Sequence, residues 1–224
     1  MNANLATFVD RYTMRHVRVY PHPIDRVWEA ITDDEQVGAW MGFPVTFDVR
    51  EGGRCVWGSP DGPYFETKIE QLEPKTLIEH VGANEHPTGG YMRFELTPHP
   101  DGCRFDFTQY FQPGQTWESY PDDLGGDLPG GIDTPWRPGF VGGFHSAFDG
   151  LGRVLDGLDP LDGYVPADQL FGRLVDHWAA RKVNEGELSR QVADRYAKEL
   201  REAACWNDLN EVYRKHIRDT IPAG

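Results

Sequence analysis

Two side chains have the type and setting for proton transfer. Glu79 lies between Leu77 and Val81 in TLIEHVG, an alternating stretch whose parity places it on an inward face. A carboxyl group held in apolar surroundings has a raised pKa and can act as an acid or a base, whereas a strand bulge would turn the same residue outward. His145 lies beside Phe144 and Phe148 in GFVGGFHSAFDGLGRVLDGL, where an imidazole either faces the interior or serves as a hydrogen-bonded structural residue. These two are the candidate catalytic residues.

The other reactive types form no recognisable set. His80, His86 and His99 lie near strand ends without HxH or HExxH spacing, and His22 stands alone between two prolines, so no metal is expected. Cys55, Cys103 and Cys205 are odd in number and lack CxxC spacing, which reads as reduced thiols rather than a disulfide framework or a zinc site. Glu118, Asp122, Asp123, Asp127 and Asp133 lack the alternating Asp and closing Glu of a calcium loop. There is no GxSxG, no phosphate-binding glycine loop and no dinucleotide fingerprint, so no cofactor is expected.

The 224 residues carry 36 acidic and 22 basic side chains, a net charge of −14. Ten basic and eleven acidic residues fall in 160–224, so the acidity belongs to the first part of the chain. Such a surface repels phosphate backbones and anionic headgroups, which argues against nucleic acid as a partner. No apolar run approaches the roughly 20 residues needed to span a bilayer, and the first residues lack a signal-peptide pattern, so a cytoplasmic protein without membrane insertion is expected.

The elements that must position these residues follow from periodicity. TMRHVRVY (13–20) alternates as a strand. A helix follows, with Pro23 at its start, Asp25 in its first turn and Val27, Trp28 and Ile31 at helical spacing; Thr32 with Glu35 forms a capping-box pattern for a second, short helix ending near Trp40 and Met41. From Pro44 the period switches to two, predicting strands at VTFDVR, GRCVWG, YFETKIEQLE, TLIEHVG, YMRFELTPH and CRFDFTQYF joined by hairpin-length turns, hence an antiparallel meander. Alternation continues one apolar face through Phe65, Thr67 and Ile69, then Leu77, Glu79 and Val81, then Met92, Phe94 and Leu96, then Phe105, Phe107 and Gln109. Val141, Phe144, Phe148, Leu151 and Leu155 form the stripe of a covering helix.

Residues 112–138 form a Gly/Pro-rich acidic segment, read as an ordered flap because it carries Trp117, Tyr120 and Trp136. After Pro160 the pattern is helical, with Leu170, Leu174, Val175 and Trp178 in one segment and Leu188, Val192, Tyr196, Leu200, Leu209, Tyr213 and Ile217 in a longer one whose start is marked by Asn184 and Glu187. Two helices cannot bury their stripes alone, so they either fold back or form a homodimer through the C-terminal helices.

The wording of several segments goes further than periodicity. RVWEAITDDEQVGAWM (26–41), VREGGRCVWG (49–58), FETKIEQLEPKTLIEHV (65–81), FELTPHPDGCRFDFTQYF (94–111) and GGFHSAFDGLGRVLDGL (142–158) resemble, in order, the segments of the SRPBCC or START-like superfamily, in its activator-of-heat-shock-protein-ATPase-homologue branch. The resemblance implies an α+β helix-grip fold over residues 1–158, with the meander wrapped around a long helix, and a helical extension at 159–224. It also implies an internal apolar cavity. The flap and the extension depart from the family's usual length.

The expected function is binding of a small hydrophobic molecule, aromatic or polycyclic, against a wall of Trp40, Trp57, Phe65, Phe94, Phe105, Phe107, Phe144 and Phe148. The alternatives are a cofactor-independent enzyme of the polyketide cyclase, dehydratase or isomerase type using Glu79 or His145, and an interaction protein of the chaperone-activator kind. The resemblance carries all three, since related domains serve all three ends.

Overall fold

The computed structural model describes residues 4–82, 90–112, 136, 138–160, 183, 189–192 and 204–221. Eight strands form one antiparallel sheet: β1 (Thr7–Phe8), β2 (Thr13–Tyr20), β3 (Val45–Phe47), β4 (Arg54–Ser59), β5 (Gly62–Glu73), β6 (Leu77–Gly82), β7 (Gly90–His99) and β8 (Gly102–Phe111). Their order is β1-β2-β8-β7-β6-β5-β4-β3, so the meander from β3 to β8 is consecutive and β2 closes its far side. The sheet is not closed, and the expected helix-grip architecture is present. The expected flap, apart from its ends, and most of the tail lie outside the described residues.

Between β2 and β3 come α1 (Ile24–Thr32) and α2 (Asp34–Met41). The cap between them falls one residue later than the sequence pattern suggests, because the Asp33 carboxylate accepts from Gln36 N–H at 3.0 Å while the Thr32 hydroxyl turns back to Trp28 O. Gly42, at φ 78°, ends α2 in the left-handed conformation that favours glycine.

The grip helix α3 (Pro138–Leu155) lays Val141, Phe144, Phe148, Leu151 and Leu155 into the core, as its stripe requires. One of its glycines has a visible reason: a Cβ on Gly150 would sit 3.4 Å from Trp40 O, so the absence of a side chain lets α3 approach α2. Tyr20 Oη donates to Phe148 O at 2.8 Å and ties β2 beneath the same helix.

The last described helix, α4 (Ala204–Thr220), buries Tyr213 and Ile217 and packs on α3 and β1 of its own chain. Helix α4 therefore folds back onto the sheet-and-helix unit. No helix among the described residues is long and apolar enough to cross a membrane.

The two faces of the sheet differ in chemistry. On the outer face Arg15 and Arg104 converge on Asp106, Arg54 pairs with Glu66 and Lys68 with Glu70. The inner face is apolar and aromatic, and α3 lies across it. A half-buried antiparallel sheet is built in this way.

Candidate functional site

All eight wall residues come together on the inner side. Trp40 reaches in from α2, its indole donating to Ala30 O at 2.8 Å and its ring 6.1 Å from that of Phe148. Phe105 and Phe107 on β8 lie under Phe148, each at 5.0 Å between ring centroids, and Phe144 meets Phe107 at 4.5 Å. Phe94 on β7 touches Phe107 at 5.0 Å. Further across, Trp57 stacks on Phe65 at 5.2 Å. Phe105, Phe107 and Phe148 are fully buried against one another and so pack the centre of the core, while Trp57, Phe65 and Phe94 occupy the half of the face nearer β4.

His80 bridges the two groups, 5.8 Å from Phe94 and 5.6 Å from Trp57. Thr67 Oγ1 accepts from the Trp57 indole at 2.9 Å and stands 3.2 Å from His80 Nδ1. Burial of the His80 ring lowers its pKa to about 3, so it is neutral and belongs to the aromatic surface.

The two candidate catalytic residues are placed differently from the catalytic reading. Glu79 is on the outer face, where Arg93 Nη1 lies 3.1 Å from its Oε2. Ile69 stands directly opposite His80, which gives the inward parity of β6 to Ile78 and His80 rather than to Leu77, Glu79 and Val81. A bulge at Glu70 then restores Leu72 to the side of Ile78. The inward placement expected for Glu79 is therefore corrected: its carboxylate is an ion-pair partner on the outer face of the sheet.

His145 is buried on α3 with both ring nitrogens engaged. Tyr213 Oη accepts from Ala6 N–H at 3.1 Å, which directs its own proton to His145 Nδ1 at 2.8 Å. The other nitrogen, Nε2, then faces Asp149 Oδ2 at 3.4 Å. Asp149 also meets Arg18 Nη2 at 3.3 Å. Burial pushes the Asp149 carboxyl up, but the His145 hydrogen bond and the charge of Arg18 outweigh it and hold the pKa below the usual carboxylate range. Burial raises the Tyr213 phenol well above its ordinary value. The chain Tyr213, His145, Asp149 and Arg18 thus clamps α4, α3 and β2 together.

Two further polar residues face inward: Gln109, which the alternation of β8 places there without a role, and His16, which sequence reasoning passed over. His16 on β2 is fully buried between Phe148, at 5.4 Å, and Phe107 and His145, each at 6.3 Å. Neither of its ring nitrogens has a hydrogen-bond partner among the described residues, and neither has the Gln109 Oε1 atom. Burial, reinforced by Arg18, His145 and His216, lowers the His16 pKa well below its ordinary value, so the ring is neutral. Gln109 sits opposite Met14 and Met92 on the neighbouring strands. A buried polar atom left unpaired costs about 1–3 kcal/mol, and Arg18 Nε is a further such atom beside them.

The two described cysteines offer no competing chemistry. Burial pushes the Cys55 thiol up to about 12 and the Cys103 thiol up to about 11, so both are protonated at neutral pH and poor nucleophiles. Cys205 lies outside the described side chains. Among the described residues no three His, Cys, Asp or Glu side chains converge as metal ligands.

The family described as activator of Hsp90 ATPase homolog 1-like protein has a sequence model that matches residues 21–156, more than half of the chain. The chain belongs to that family. None of the curated proteins is a significant sequence match. Among solved structures, protein MLL2253 from Mesorhizobium loti is 22% identical over 66% of this chain and 98% of its own, with a TM-score of 0.49. CalU16 from Micromonospora echinospora is 15% identical over 89% of this chain and 88% of its own, with a TM-score of 0.46. The Aha1 dimer from Colwellia psychrerythraea is 16% identical over 48% of this chain and 81% of its own, with a TM-score of 0.41.

The span matched to the Hsp90-activator-homologue-like family contains all eight wall residues, Glu79, His80, Gln109 and His145. It excludes β1, β2 and α4. His16, Arg18 and Tyr213, which complete the inner face and the clamp, thus come from parts of this chain outside the family match.

Proposed function

We propose that the protein binds a small, largely apolar molecule, aromatic or polycyclic, against the inner face of the sheet. The observation that carries this reading is the breadth of the aromatic face. Among the described residues the rings of α3 reach Phe105 and Phe107 on β8 and His16 on β2. The inward rings Trp57, His80 and Phe94 continue that surface across β4, β6 and β7 and pack within the sheet. A broad aromatic face of this type is suited to an apolar body, and ligand sites are commonly apolar walls with few polar groups. Apolar burial at about 25 cal/mol per Å² supports micromolar affinity without a charged anchor. The family's range, which includes ligand binding and cyclase-like activity, is consistent with this.

The catalytic alternative is the less favoured reading, since Glu79 faces outward and His145 is engaged in the clamp. The binding reading also takes the protein to be cytoplasmic, which cell fractionation would check. The homodimer expected through the C-terminal helices would have to use surfaces other than Tyr213 and Ile217, which are buried within the chain.

Native mass spectrometry of the purified full-length protein, followed by denaturing extraction, tests the reading. The expected result is a stoichiometric apolar adduct, or saturable uptake of the neutral dye N-phenyl-1-naphthylamine by adduct-free protein. An adduct-free mass together with no uptake of the dye would overturn it.

A further inference from the structure

The orphaned polar atoms of the inner face point to the chemistry of the ligand. His16 and Gln109 stand on adjacent strands, both turned inward: His16 is opposite Phe107, and Gln109 is two residues further along β8, opposite Met14. That diagonal step separates side chains by about 7–8 Å, close enough for one small ring system to address both. Around them are Phe107, Phe148, Met14 and Met92, which offer neither a proton nor a strong acceptor. The other titratable groups nearby have partners. His145 is held by Tyr213, Arg18 lies on Asp149 and on Asn4 O with its Nε unpaired, and His216 meets Ala6 O.

We infer that the ligand is a hydroxylated aromatic molecule whose hydroxyl is read by His16 and Gln109. This rests on the binding reading above and narrows it. The donor and acceptor inventory sets the choice. A neutral imidazole offers one acceptor nitrogen and one N–H, and the Gln109 Oε1 atom offers a second acceptor. An aromatic hydroxyl donates to either acceptor, and its oxygen accepts from the imidazole N–H, so one group satisfies atoms on both strands. A plain hydrocarbon would leave all of them unpaired. A carboxylate could accept from the imidazole N–H but has no proton for the Gln109 Oε1 atom, and its buried charge would have to share the Arg18 guanidinium already paired with Asp149. A site built to hydrogen-bond a hydroxyl rejects the analogue lacking it far more strongly than an apolar pocket rejects an extra methylene. The aromatic walls and this polar pair together select both halves of the molecule.

The test is displacement of N-phenyl-1-naphthylamine from the full-length protein by 2-naphthol and by 2-methoxynaphthalene, which differ in the single donated proton. The expected result is displacement by 2-naphthol at a concentration lower by about tenfold, the factor that corresponds to one good hydrogen bond. The double replacement His16→Phe with Gln109→Met should bring the two curves together. Wild-type imidazole nitrogen shifts give a reading that does not depend on the variants folding. 2-Naphthol should move the ring nitrogens of His16 and leave those of His80 in place, since His80 is already held by Thr67.

Equal displacement by the two probes in the wild type, with no movement of the His16 signals, would overturn the inference and assign the two residues a buried water only. The binding reading would survive that outcome. Failure of the dye and both probes to bind would overturn the binding reading, and this inference with it.

Discussion

The Tyr213 hydroxyl on α4 and Nδ1 of His145 on α3 stand 2.8 Å apart, so a single hydrogen bond ties the C-terminal helix to the helix that grips the sheet. Because the same hydroxyl also accepts from Ala6 N–H, the bond fixes the segment before β1 as well. Tyr213→Phe keeps the ring and removes both interactions, leaving two buried polar atoms unpaired. The expected loss is about 1–3 kcal/mol of unfolding free energy in urea titration, with the fold retained. A variant as stable as the parent would show that α4 is not docked by this residue.

A second expectation concerns acid. His80, whose pKa is lowered to about 3, and His16, which is lowered well below its ordinary value, are both buried as neutral rings. In the unfolded chain each titrates near 6.5. Below that pH the unfolded state binds protons that the folded state refuses, so stability is complete above about pH 6.5 and falls as the pH drops towards the folded values. Two such rings give a slope of about 2.7 kcal/mol per pH unit well below pH 6.5. Urea titrations at pH 7, 6 and 5 would measure it, and His80→Leu should halve the slope. Equal stability at pH 7 and pH 5 would mean that the rings accept protons in the folded state.

The outward position of Glu79 gives a third. Its pair with Arg93 joins side chains 16% and 32% exposed on the outer face. Glu79→Gln should therefore cost less than about 1 kcal/mol in urea titration and leave dye binding unchanged. A loss of binding with stability preserved would return Glu79 to the site.

How much of this could be read from the sequence depends on the range of the determining interaction. Strands β4 to β8 and helix α3 announce themselves because their periods of 2 and 3.6 are local and sustained over six residues or more. Strand β1, only Thr7 and Phe8, has no period to detect. The face of β6 was misread because parity was carried from β5 across a turn, and the β5–β6 pairing puts Ile69 opposite His80 rather than a neighbour of it.

In β2 the apolar rule itself fails. Val17 and Val19 face outward, with Val19 42% exposed, while His16 and Arg18 face inward between Met14 and Tyr20. What turns Arg18 inward is Asp149, 131 residues away, and no local pattern reveals it. The orphaned nitrogens of His16 were equally hidden, since only the packed sheet shows that nothing meets them.

Met92 supplies the sharpest test of where a ligand would lie. It is buried on β7 opposite both His80 and Gln109, between the aromatic half of the face near β4 and the polar pair near β2. Met92→Trp keeps the position apolar but adds a bulky ring where a bound molecule would contact both halves. Overpacking of this type costs about 1–3 kcal/mol, small enough for many folds to tolerate. Affinity for N-phenyl-1-naphthylamine should fall by about tenfold or more, since the added ring displaces the ligand from contacts worth at least about 1.4 kcal/mol. The fold is checked by the far-ultraviolet circular dichroism spectrum and the dye by fluorescence titration. If the variant folds and binds the dye as tightly as the parent, the dye lies away from the inner face, and the aromatic array is core alone.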